Sequence, residues 1–335
     1  MRRSALLLAA LGALAKGAWA AGFEPKTMRD NLPLHEVERP LVIGKGWLEF
    51  GLQSDVKNAS GYWNSAGEAV DFQDATWLYS TQSLAIRYGV SRRSELYWTF
   101  RTHYARLSNE AMGTDIASFG LGDPSFGLRR ELLRRDLPLS SLIAYVGYKA
   151  PAGNESPGNY TAQANSFTNI IFTTGTPDLA LGLRGKQQLG PVAVTGDLGW
   201  IHRFSNVTQY IVETEQNQFN GRIKPGDRLA GEVELLLQAG PIAASVAGKA
   251  EYRTLTKLGV SSAGLTGDRN LEDIADSDGL AVSLDPQVMW NITRGVDVRV
   301  GADIPLMGED LLFFPIEDLT PTRGTTWSGA VELRY

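Results

Sequence analysis

The chain has 335 residues with 36 glycines, no cysteine and a formal charge of −5 at pH 7. The missing cysteine excludes disulfides, thiolate nucleophiles and thiolate metal sites, and the acidic balance argues against nucleic acid as a partner. The mean hydropathy is mildly negative, −0.15, which is odd for a bundle of membrane helices but normal for a barrel, where only every second strand residue meets lipid.

In chain order, Arg2-Arg3, the apolar run Ala5 to Ala15 and Ala18-Trp19-Ala20 have the layout of a secretory signal peptide, residues 1–20, cut after Ala20. Its removal takes three cations and moves the charge from −5 to about −8. The run is too short to span a bilayer, and no later stretch reaches the ~20 apolar residues that a helix needs. Residues 21–45 carry Pro25, Pro33, Pro40 and the charged His35-Glu36-Val37-Glu38-Arg39 without periodicity, which predicts a periplasmic N-terminal extension or partial plug.

From Trp47 the pattern becomes alternation of period two, the signature of β-strands. It starts with Leu48, Phe50 and Leu52 against Glu49 and Gln53, and recurs over about 77–90, 94–105, 121–133 and 140–151. Further stretches follow at about 177–188, 191–204 and 227–239, then at 241–254 and around Leu280 to Trp290 and Val296 to Ile304. The 241–254 stretch is the clearest: Ile242, Ala244, Val246, Ala250 and Tyr252 share one face, while Lys249, Glu251 and Arg253 share the other. A slip of one residue would put three charges into lipid at roughly 2–4 kcal/mol each. The last stretch, Trp327 to Tyr335, ends the chain on an aromatic of the apolar row.

Connections alternate between short and long. Short ones fall at 91–93, 134–138, Gly190, Gly240 and 291–295; long polar ones at about 55–76, 106–118, 152–175, 205–226, 255–278 and 307–323. Tyr88, Tyr104, Tyr148, Trp200, Tyr252, Trp290, Trp327 and Tyr335 lie on the apolar rows, mostly near strand ends, as interfacial girdles require. These features predict an all-β fold: residues 46–335 as a transmembrane up-and-down antiparallel β-barrel of about twelve strands, with short periplasmic turns and long extracellular loops. The setting this implies is the outer membrane of a two-membraned bacterium. The expected partners are its lipids, a small-molecule solute, and the barrel assembly machinery through Trp327–Tyr335.

Gly120-Leu121-Gly122-Asp123-Pro124, Lys149-Ala150-Pro151-Ala152-Gly153, Gly175-Thr176-Pro177-Asp178-Leu179 and Arg39-Pro40-Leu41 resemble outer-membrane proteins of the MetA pathway of phenol degradation. The chain departs from that pattern at Ala152, where threonine is commoner, and in the long 255–278 loop. The resemblance implies a barrel passing small, often aromatic or hydrophobic, molecules, and it brings no set of functional residues with it.

The charges on the inward rows are the candidate channel lining: Glu49, Arg101, His103, Arg129, Lys149, Arg184, Glu232, Glu234, Lys249, Glu251, Arg253, Asp285, Arg299 and Asp303. Charges at this density must face water or pair across the lumen. Two readings follow: a passive conduit for small molecules, or a closed, salt-bridged wall whose loops bind a partner. Trp47, Trp77, Tyr79, Tyr97 and Tyr145 also point inward, either as a slide for aromatic solutes or as filling. A hydrolase is the weaker alternative, because His202 and Ser205 are three apart, a spacing that sends strand residues to opposite faces. No catalytic residue, cofactor or metal site is assigned; the acidic run Asp268 to Gly279 lacks the ligand spacing of an EF-hand and is read as a solvated loop.

Overall fold

Twelve antiparallel strands close into a cylinder: β1 (Leu48–Ala59), β2 (Ala75–Ser91), β3 (Ser94–Asn109), β4 (Ser125–Asp136), β5 (Leu139–Lys149), β6 (Asp178–Leu189), β7 (Val192–Arg203), β8 (Arg228–Ala239), β9 (Ile242–Arg253), β10 (Gly279–Thr293), β11 (Val296–Gly308) and β12 (Thr326–Arg334). The structure is a computed structural model. It describes residues 33–335 apart from 65, 73–74, 110–113, 137, 153–159, 162–165, 168–172, 174, 215–216, 262–270, 274–276 and 310–322. The expected signal peptide lies outside the described residues, as does much of the 268–279 acidic run.

Each strand pairs with its neighbours in sequence, and β12 returns to β1 in the register Glu49↔Arg334, Leu52↔Val331 and Val56↔Trp327. That pairing leaves the cylinder without an open edge. Twelve residues at about 3.3 Å each, tilted by about 45°, rise about 28 Å, close to the thickness of a hydrocarbon core.

Strand alternation sorts the side chains as the sequence predicts. Leu198, Leu235, Val246, Val288 and Val300 are exposed on the outer surface, whereas Glu49, Arg253 and Asp285 are buried on the inner one. In β9, Lys249 and Glu251 share the inner face with Arg253. The exposed Tyr88 and Trp290 mark the short-turn end; Tyr148, Trp200, Tyr252 and Trp327 mark the opposite one. Gly190 and Gly240 turn between strands at φ of +65° and +61°, a conformation that costs glycine nothing.

The long connections are more ordered than an apolar pattern alone predicts. β3 runs on to Asn109, and a segment at Thr114–Leu121 pairs back along it, so the expected 106–118 loop shrinks to its tip. Arg106 and Asp115, both exposed, form an ion pair at 2.6 Å across this hairpin. Backbone pairing continues there into water, where no apolar row is needed to mark it. Gly122-Asp123-Pro124 separates that segment from β4. A second sheet of short strands, among them Asn206–Thr214, Asn217–Lys224 and Lys257–Ser261, occupies the 205–226 and 255–278 connections.

Residues 33–46 enter the barrel at its short-turn end. Val37 packs on Ala193, Leu236, Ala243 and Met289, which are apolar residues on inward positions of β7 to β10. A 3₁₀ turn at Glu36–Glu38 begins the passage of this segment across the bore.

Candidate functional site: the barrel lumen

The short-turn end of the lumen holds the entering segment. The Glu36 amide donates to Gln238 Oε1 of β8 at 3.0 Å, and Lys186 Nζ of β6 donates to the Glu36 and Arg39 carbonyls at 2.6 and 3.1 Å. Five residues on, the Leu41 carbonyl accepts from Arg87 of β2 at 2.9 Å, and the Ile43 amide donates to Glu95 of β3 at 2.8 Å. In a ring of twelve, β2 and β8 stand six places apart, so residues 36–43 cross the bore along a diameter.

Charge anchors the crossing. Arg39 is 4% exposed; it pairs with Glu36 at 3.0 Å and with Asp297 of β11. Asp297 also meets Arg334, which reaches Glu49 across the closing seam. Glu49 and Glu95 in turn bracket Arg87, at 2.6 and 2.8 Å, and Arg129 joins Glu95 at 3.1 Å. Burial raises the Glu36 carboxyl, but Lys186, Arg39, Arg334 and Arg299 outweigh it and bring the group from 4.5 down to about 2. A buried network this complete is costly to break, because removing one partner strands the others.

Arg39, Arg87, Glu95 and Arg334 were missing from the expected lining. The overlooked signal was apolar: Ala193, Leu236, Ala243 and Met289 cluster on neighbouring inward rows at the short-turn end, where Val37 covers them.

Among the described residues, two cavities above the crossing lie on opposite halves of the ring. One, of about 420 Å³, is walled by β2 to β8 and lined by Tyr79, Tyr97, Arg101, His103, Lys149, Asp178, Ala180, Ile201, Arg203 and Arg228. The other, of about 320 Å³, has Lys57, Asp197, Glu232, Lys249, Glu251, Ser283 and Asp303 along its wall. The first therefore holds four cations against one carboxylate, and the second two lysines against four carboxylates. The two-signed inner row is sorted by side.

Most of these charges are paired. Lys149 meets Asp178 at 2.8 Å and Asp123 at 3.6 Å, Lys249 meets Asp303 at 3.1 Å and also Asp285, Arg184 lies 4.0 Å from Asp197, and Arg299 lies 3.2 Å from Glu332. Arg228 pairs with Glu251. Glu234 is half-buried on the inner row of β8 beside Glu232. Among the described residues Arg101, exposed in the first cavity, forms no ion pair. His103 is 2% exposed, with the Tyr79 and Thr81 hydroxyls 2.8 and 3.1 Å from Nδ1.

The inward tyrosines lie along the wall. Tyr97 covers Gly127 and Gly147, where an added Cβ would come within 2.6 and 2.3 Å of its ring or hydroxyl. Arg129 stacks over that ring at 4.7 Å. Tyr145 covers Gly182 and Gly199 in the same way, with its hydroxyl donating to Asp197 at 2.9 Å. Glycine is required in these four places because each ring occupies the space of a side chain, which leaves the rings off the bore axis.

His202 sits on the outer row between Trp200 and Phe204, its Nδ1 3.0 Å from Asp227. β7 ends at Arg203, so Ser205 lies beyond the strand and the opposite-face argument does not extend to it.

A closed antiparallel barrel with an apolar belt, two aromatic girdles and a charged interior defines a transmembrane β-barrel of the bacterial outer membrane. No family model and no curated protein matches the sequence. Among solved structures, the COG4313 outer membrane channel from Pseudomonas putida F1 superposes with a TM-score of 0.61 at 12% identity, over 93% of this chain and 100% of that one. The Ralstonia pickettii toluene transporter TbuX gives 0.44 at 10% identity, over 88% of this chain and 90% of that one. The first likeness establishes a shared fold; the second is too distant to add to it.

Proposed function

We propose that this barrel is a passive channel for small molecules across the outer membrane, partly plugged at its periplasmic end by residues 33–46. The observation that carries this reading is the pair of cavities, about 420 and 320 Å³, lined by charged side chains and held open by tyrosines folded against glycines. A lumen built only to stiffen the wall has no need to keep its rings off the axis. The assigned lining, from Glu49 and Arg101 round to Arg299 and Asp303, belongs to this proposal. So do the leader at residues 1–20, assembly through Trp327–Tyr335, and the likeness in short motifs to the MetA-pathway barrels.

The test is reconstitution in planar bilayers and in liposomes, using wild type and an Arg39 variant that loosens the crossing segment. Ion conductance together with swelling in small solutes supports the channel. Absence of both from both proteins removes it and favours the second reading, a surface-interaction barrel, for which the ordered sheet above the 205–226 and 255–278 connections is the specific observation.

A further inference from the structure

We propose that the cation-rich half of the lumen is a binding site for small organic monoanions with an apolar, ring-sized body, a carboxylate such as benzoate being the simplest case. The inference rests on the channel reading and specifies its solute class. Ion pairing leaves one cation of this wall with open donors. Lys149 is already neutralised by Asp178 and Asp123, Arg203 lies 3.9 Å from Asp178, and Arg228 pairs with Glu251. Arg101 remains, exposed in the cavity and without an ion pair among the described residues. A guanidinium that feels the charge of Asp55 but closes no ion pair leaves its donors open to one singly charged partner. A carboxylate also matches its fork of donors, two parallel N–H groups facing two oxygens.

The rest of the wall sets the body of the ligand. Tyr79, Tyr97, Ala180 and Ile201 line the same cavity, so a solute held at Arg101 extends over apolar surface. A volume of about 420 Å³ falls in the range of about 300–1,000 Å³ usual for small-molecule sites. The opposite half, with four carboxylates against two lysines, repels the same anion and confines it to the β2–β8 side. Because the crossing segment lies beneath both cavities, this site is met by a solute before the periplasmic anchor is.

Calorimetry on the detergent-solubilised barrel tests binding independently of conduction. Benzoate is titrated beside acetate, which has the charge without the ring, benzyl alcohol, which has the ring without the charge, and terephthalate, which adds a second charge. Benzoate should bind most tightly. Arg101→Gln should weaken it about tenfold or more, as the loss of a hydrogen bond to a charged group does; Arg101→Lys should recover part of the loss. In bilayers benzoate should block the chloride current at concentrations that follow the same order. Equal binding of acetate and benzoate, stronger binding of terephthalate, or an Arg101→Gln protein that folds and binds benzoate like wild type overturns the proposal. Conductance with no benzoate preference sinks this site alone, whereas a barrel passing neither ions nor solutes sinks the channel.

Discussion

Arg39→Ala tests how firmly the entering segment is held. The substitution removes the ion pair to Asp297 and, within the segment itself, the pair to Glu36 at 3.0 Å and the bonds from Arg39 to the Pro33 and Leu34 carbonyls at 3.1 and 2.9 Å. Asp297 keeps Arg334 and the Asn291 amide, the latter at 2.7 Å, so the loss stays below the roughly 3–5 kcal/mol of a fully stranded buried charge. Taking the lost pair as one charge-assisted bond at the lower end of about 1.5–3 kcal/mol gives about 2 kcal/mol. That lowers the docked-to-undocked ratio by roughly thirtyfold.

The assay is amide hydrogen exchange on the reconstituted barrel, read at Glu36 and Ile43, whose amides end on Gln238 and Glu95 on opposite walls. Both should exchange faster by about that factor, with amides of β8 and β9 unaffected, and single-channel conductance should rise. Unchanged exchange at both positions would refute the claim that Arg39 anchors the crossing, and unchanged conductance despite faster exchange would refute its role as a plug.

Three further outcomes follow from the same geometry. Gly147→Val places a side chain 2.3 Å from the Tyr97 hydroxyl; it should cost about 1–3 kcal/mol as an overpacked site and narrow the bore, seen as a lower denaturation midpoint and reduced conductance. Val246→Lys puts a cation on the lipid face at mid-strand and should cost about 2–4 kcal/mol in unfolding from lipid, where a change under half a unit would mean that β9 is misregistered. The Glu36 carboxyl, held at about 2 against an ordinary 4.5, contributes seating that is complete above 4.5 and is lost as pH falls through 2. Conductance should therefore rise on acidification between those values, and a Glu36→Gln protein should lack that part of the rise.

Strand parity was readable because it answers to one binary choice repeated along the chain. Val246 or Lys249 must face lipid, and the energy gap between the alternatives is several kcal/mol per charge. Strand limits in water were less readable: Arg106 and Asp115 lie outside the bilayer, so hydrogen bonding continued without the apolar row that announces it.

The amino-acid sequence by itself determined the barrel, its even strand count and the face each strand residue takes, since each follows from local alternation against a solvent that tolerates no charge. Which of those charges meet was decided only on closure. Arg334 reaches Glu49 because the last strand returns to the first, and Arg39 meets Asp297, 258 positions away, because the N-terminal segment lies across the bore. The sorting of cations to the β2–β8 side has the same origin. It depends on the height at which each charge stands once the strands have paired, and an alternation that repeats identically in every strand carries no record of that.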